Sequence, residues 1–107
     1  MGNMDLTDIQ QGLKVLGAKR SEILVLIAIV RAGRPLRFSE ILETTGLSDR
    51  TVRMALRSLR DSGYIRVEGR GRATRYVTEK PGVVAELIRK RVEEKISTIL
   101  THLLSRL

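Results

Sequence analysis

Cysteine is absent from the chain and histidine occurs once, at His102. The first absence removes disulfides, thiolate nucleophiles and cysteine metal sites, and it fits a reducing compartment. A lone imidazole supports neither a paired-histidine metal site nor a Ser-His-acid set, and a His on a helix ending in Leu103, Leu104 and Leu107 reads as a surface or interface residue. No phosphate loop is present either. Gly69-Arg70-Gly71 has no helix behind it and the next glycine is Gly82, so those glycines serve a turn. Long apolar runs are also missing. The most apolar stretch, Ile23 to Val30, is far short of the ~20 residues that cross a bilayer, and Asp5 and Asp8 are unlike a signal peptide. The expectation is a soluble, cytoplasmic chain without membrane contact, with no catalytic residues, no cofactor and no metal.

Positive charge is abundant. Lys and Arg number 20 against 12 Asp and Glu, a formal +8, and 15 of the 20 are Arg. The planar arginine fork suits phosphates and guanine edges better than the lysine point charge does. Between residues 48 and 80, nine cationic side chains face four acidic ones, which places +5 of the total in under a third of the chain. The positive field is therefore concentrated on one segment.

That segment begins with Leu47 to Gly63, LSDRTVRMALRSLRDSG. Ser48 is a good N-cap, Leu47 can close over Val52 as a hydrophobic staple, and Gly63 suits a left-handed C-cap. At 3.6 residues per turn, Val52, Ala55, Leu56 and Leu59 share one face, while Arg50, Arg53, Met54 and Arg57 lie opposite, with Arg60 at the edge. A merely solvated face would mix acids and bases in i,i+4 pairs, yet the central turns here carry no acid.

Upstream, Leu6, Ile9, Leu13 and Leu16 mark an amphipathic helix from residue 5 to about 16, stopped by Gly17. A second helix runs from Ser21 to Gly33, and its centre ILVLIAIV is apolar on all sides, so it must be covered all round. Pro35-Leu36-Arg37 reads as an extended link, and Ser39 as the cap of a short helix EILETT closed by Gly46. Residues 39 to 62 thus have a helix-turn-helix layout. Next come strands at 64–68 and 73–78 around a turn at 69–72, a wing whose tip carries Arg70 and Arg72.

From Gly82 to Leu107 the pattern is helical again. Ala85, Ile88, Val92, Ile96, Ile99, Leu103 and Leu107 repeat with an eleven-residue period, widened by Val84, Leu87, Leu100 and Leu104. Glu86 with Lys90, Arg89 with Glu93, and Lys90 with Glu94 can pair on the other side. About 25 helical residues span about 37 Å, more than a small winged domain covers, so the stripe calls for a partner helix, most simply the same helix of a second chain, the alternative being a helix folded back over its own domain. The expected organisation is an N-terminal dimerisation helix (1–18), a winged helix-turn-helix (19–80) and a long C-terminal dimerisation helix (81–107). The fold class is mainly α with a small β-hairpin.

Ser39-Glu40-Ile41-Leu42, Gly46-Leu47-Ser48, Thr51-Val52-Arg53-Met54-Ala55-Leu56, Leu59, Gly63-Tyr64-Ile65 and the basic hairpin resemble a winged helix-turn-helix of the MarR and ArsR kind, over residues 20 to about 80. The resemblance implies a dimeric prokaryotic or archaeal transcription regulator with its N- and C-terminal helices in the interface. It assigns Arg50, Thr51, Arg53 and Arg57 to major-groove contacts, Ser48 to a phosphate, and Arg70 and Arg72 to the minor groove or backbone. Leu6, Ile9, Leu13, Ile88, Val92, Ile96, Ile99 and Leu103 become interface residues. Metal sensing of the ArsR type does not follow, since its ligands are missing, and no residue identifies an effector pocket. The expected function is sequence-specific, with double-stranded DNA and a second copy as partners and a place on the nucleoid. The alternatives are an architectural DNA-coating protein and a winged-helix protein-interaction module.

Overall fold

The computed structural model describes residues 2–107, with side chains from residue 6 onward; Met1 and the side chain of Asp5 lie outside the described residues. The elements in chain order are α1 (Gly2–Val15), α2 (Arg20–Ala32), α3 (Phe38–Thr45), α4 (Asp49–Asp61), β1 (Arg66–Glu68), β2 (Arg75–Val77) and α5 (Pro81–Leu104). The apolar centre of α2 is the hub. Ile23, Val25, Leu26, Ala28, Ile29 and Val30 are buried, while Leu24 and Ile27 are only partly covered. α1, α3 and α4 all pack against α2, and α1 is clamped from its other side by α5. Among the described residues no polar or charged side chain is buried.

Helix starts differ from expectation in an instructive way. α3 begins at Phe38, with Arg37 at the N-cap and Ser39 already inside the first turn, so Ser39 is not the cap. The backbone N–H of Arg37 instead donates to Glu40 Oε1 at 3.0 Å. α2, which starts at Arg20 and so one residue before Ser21, uses the same device, the N–H of Lys19 donating to Glu22 Oε1 at 2.7 Å. In both helices a Glu at the third position satisfies an orphan donor without a hydroxyl at the cap.

The hairpin strands are shorter than the alternation suggests. Tyr64 and Ile65 turn into the core before the ladder begins. The antiparallel register is Arg66 with Val77, Val67 with Tyr76 and Glu68 with Arg75. The turn is correspondingly longer and includes a single 3₁₀ turn, Gly71–Ala73. Gly69 has φ +76°, and a Cβ there would strike the carbonyl of Ala73, so this tip depends on glycine. Leu36 adds an edge to the hairpin: its N–H donates to Tyr76 O at 3.0 Å and Tyr76 N–H returns a bond to Leu36 O at 2.8 Å.

α5 ends at Leu104, so Leu107 falls beyond the helix. Its first half packs on α1 across Gly12, where an added Cβ would collide with Ile88 Cγ2. Lys95 Nζ closes the contact by donating to Val15 O at 2.7 Å, in the last turn of α1. On the outer side Arg89 bonds both Glu86 and Glu93, in place of the expected pairing of Glu86 with Lys90.

Two outcomes follow from this packing. In an open helix, Gly12→Ala would be worth about 1 kcal/mol of added stability by helix propensity. Here it should destabilise by about 1 to 3 kcal/mol in urea unfolding, because the methyl must displace Ile88. The second concerns pH. Hydrogen bonding from Arg34 and from the Arg37 N–H holds the Glu40 carboxyl at about 2. The stabilisation is therefore complete above the unfolded value of about 4.3 and fades as pH falls towards 2. Thermal unfolding of wild type should exceed that of Glu40→Gln at pH 5, with the two converging near pH 2.

Candidate nucleic-acid interface

α4 is set by its cap and its apolar face. Ser48 Oγ accepts from the Thr51 N–H at 3.2 Å and donates to Thr51 Oγ1 at 2.9 Å, so the two hydroxyls at the start of α4 are held together. Leu47 packs against the core ahead of them. Val52, Ala55, Leu56 and Leu59 are buried against the hub. That burial fixes the rotation of the helix and turns Arg50, Arg53, Met54, Arg57 and Arg60 to the surface.

The arginines of this face are not equivalent. Arg53 lies over the Phe38 ring with its guanidinium carbon 4.4 Å from the centroid, and its Nη2 is 3.9 Å from Asp49. The side chains of Arg50, Arg57 and Arg60 have no ion-pair or hydrogen-bond partner among the described residues. Between α4 and the hairpin lies a cleft of about 260 Å³ lined by Arg53, Leu56, Arg57, Arg60, Val67 and Tyr76. Arg60, placed at the edge of the face by sequence, thereby belongs to the cleft. A second groove, about 750 Å³, runs between the start of α2 and α4 and has Glu22, Met54, Arg57 and Asp61 among its lining residues.

In the wing, Arg70 and Arg72 are exposed at the tip. Two other hairpin cations have structural work. Arg75 donates to Arg72 O at 3.1 Å and to Thr74 O at 2.9 Å, fastening the tip. Arg66 pairs with Glu79 at 2.5 Å. Tyr64 is buried and Tyr76 half-buried, which makes both of them wing supports. Arg91 of α5 covers the Tyr64 ring at 4.8 Å from its centroid.

The expected interface residues divide into two groups. Ile9, Leu13 and Ile88 are fully buried within the single chain, and Leu6 and Val92 are half-buried against the same core. They hold α1 to α5 of their own chain, so Ile9, Leu13 and Ile88 offer no surface to a second one. Ile96 and Ile99 remain 47% exposed and Leu103 55%, joined by Leu100 and Leu104. His102 is exposed, and among the described residues no His, Cys, Asp or Glu cluster could hold a metal. Nor is any described helix long and apolar enough to cross a membrane.

Solved structures with the same fold include the transcriptional regulator Tm0710 from Thermotoga maritima, 25% identical with a TM-score of 0.59 over 94% of this chain and 72% of that one. A MarR-family transcriptional regulator from Silicibacter pomeroyi is 17% identical, with a TM-score of 0.58 over 91% of this chain and 67% of that one. TubR from Bacillus thuringiensis serovar israelensis, bound to 24 bp of tubC, is 24% identical, with a TM-score of 0.55 over 80% of this chain and 94% of that one. No curated protein matches significantly. The family model of the sugar-specific transcriptional regulator TrmB matches residues 13–81, from the end of α1 through the hub, the helix-turn-helix and the wing. The chain therefore belongs to the TrmB family and is a DNA-binding transcriptional regulator, not an enzyme.

Proposed function

We propose that the chain works as a homodimer that binds double-stranded DNA sequence-specifically, α4 entering the major groove and the wing reaching the minor groove or backbone. The observation that carries this reading is the outward face of α4: Arg50, Arg53, Arg57 and Arg60 stand exposed on a helix whose opposite side is locked into the core. Arg53 and Arg57 have the fork that reads guanine O6 and N7. Ser48 and Thr51 stand at the helix start, where amides and hydroxyls hold phosphate, and Arg50 extends the contact along the groove. Arg70 and Arg72 supply charge from the wing. That the fold neighbour TubR is bound to DNA supports the use of this scaffold on a duplex.

Dimerisation rests on the distal part of α5, where Ile96, Ile99, Leu100, Leu103 and Leu104 are exposed in one stripe. In this reading residues 19–80 form the DNA-binding unit, 81–107 join two copies, and 1–18 brace the joining helix from within each chain. Two copies related by a twofold axis would read a roughly palindromic site with half-sites about one helical turn apart. The protein would act in the cytoplasm, on the nucleoid.

Selection of bound sequences from random duplex DNA tests the central claim. A symmetric motif bound at least about a thousandfold tighter than a scrambled duplex is the expected result. Equal and steeply salt-dependent binding to both would make the protein an architectural one. On the selected site, Arg57→Ala should cost about 1 to 3 kcal/mol and relax preference at one position per half-site, whereas Arg70→Ala with Arg72→Ala should weaken all sequences alike. Identical behaviour of the helix and wing variants would refute the base-reading role.

Replacing Ile96 and Ile99 together by Asp should give monomers by light scattering, with helix content retained because both positions are already exposed. A mass unchanged from wild type would rule out the α5 interface.

A further inference from the structure

We infer that Phe38 is a positioning residue for Arg53, its ring serving as a platform that orients the guanidinium before DNA is bound. The inference rests on the base-reading role proposed for Arg53 and adds a cause for its precision. Of the four arginines on the outer face of α4, Arg53 alone has an aromatic surface beneath it among the described residues, at 4.4 Å. Stacking and base reading do not compete. A cation–π contact uses one flat side of the guanidinium, whereas a bidentate bond to guanine uses N–H groups at its edge. The Asp49 carboxylate, 3.9 Å away and one turn earlier, is too distant to hydrogen-bond and leaves the edge available.

The platform is itself fixed. Phe38 is the first residue of α3 and is half-buried against the core. Two residues before it, Leu36 is bonded in both directions to Tyr76 of the wing. One residue before it, the Arg37 N–H is held by Glu40. Phe38 therefore keeps a constant position relative to both α4 and the hairpin. An arginine resting on it loses less conformational freedom on binding than Arg50 or Arg57, whose side chains have no partner among the described residues. The consequence is specific to one contact: discrimination at the base that Arg53 reads depends on a side chain that need not touch DNA.

A double-mutant cycle with the selected site tests this. Arg53→Ala should first relax preference at one position per half-site; if it does not, the base-reading role of Arg53 fails and the inference falls with it. Given that effect, Phe38→Leu should lower discrimination at the same position roughly two- to fivefold, the scale of an exposed cation–π contact. It should leave scrambled-duplex affinity and the salt slope unchanged, and have no further effect when Arg53 is already Ala. Phe38→Tyr, which keeps the ring, should retain wild-type discrimination. Unchanged or improved discrimination in Phe38→Leu, or an effect that persists without Arg53, would overturn the inference. A measurement on the wild-type protein is independent of whether Phe38→Leu folds. The Arg53 Nε–H proton should resonate upfield of those of Arg50 and Arg57 through the ring current of Phe38, and coincidence with them would also overturn it.

Discussion

The centre of α2 cannot meet water on any side, and the rest of the chain is arranged to spare it that contact. Val25, Leu26 and Ile29 are buried almost completely, each worth about 1.5 to 3 kcal/mol of transfer free energy relative to exposure. Covering a helix that is apolar all round takes several partners, and α1, α3 and α4 each supply an amphipathic face. For α4 this has a functional corollary. Its apolar residues recur at i, i+3, i+4 and i+7, so seating Val52, Ala55, Leu56 and Leu59 leaves only one outward direction for the arginines between them. The side proposed to face DNA is the other half of a packing solution.

Charge is managed along the same lines. Several cations that support the fold are ion-paired: Arg34 with Glu40, Arg66 with Glu79, Arg89 with Glu86 and Glu93. On the central turns of α4 the acids are missing, and Asp49 and Asp61 mark the ends. Concentrating like charge on one face costs some self-repulsion in the free protein, which a polyanion would relieve by displacing its own counterions. Glu40 shows how tightly fold and site are joined. It ends the orphan N–H of Arg37 and thereby sets where α3 begins, and the first residue of α3 is the platform under Arg53.

Sequence periodicity made most of the architecture legible. The Ser48 cap, the glycine stops at Gly33 and Gly46, the two faces of α4 and the extended link at Leu36 all follow from local rules that tertiary structure did not override. What escaped has a common cause: it depends on which residues meet across space. Gly12 looks like an unremarkable helix residue until Ile88 arrives against it. Ser39 resembles a cap by type, but a Glu three residues after Arg37 performs that task from inside the helix. The stacking of Arg53 on Phe38 joins positions fifteen apart that no period relates. Burial of Ile9, Leu13 and Ile88 within one chain was hidden for the same reason, since an apolar stripe specifies that it will be covered but not by whom.

α5 makes that last distinction visible within a single helix. An eleven-residue repeat, 3.67 residues per turn, keeps an apolar stripe nearly straight, so the line through Val84, Ile88 and Val92 continues into Ile96, Ile99 and Leu103. Its cover does not continue. α1 ends at Val15, and Lys95 bonds the carbonyl of that residue, so the intrachain support stops one residue before the stripe becomes exposed. From 96 to 104 the helix extends about 13 Å with its apolar side bare. Solvating that side would forfeit the burial that its first half obtains, and no described element of the chain lies beyond α1 to prevent it. The proposed dimer resolves this mismatch in length between α1 and α5.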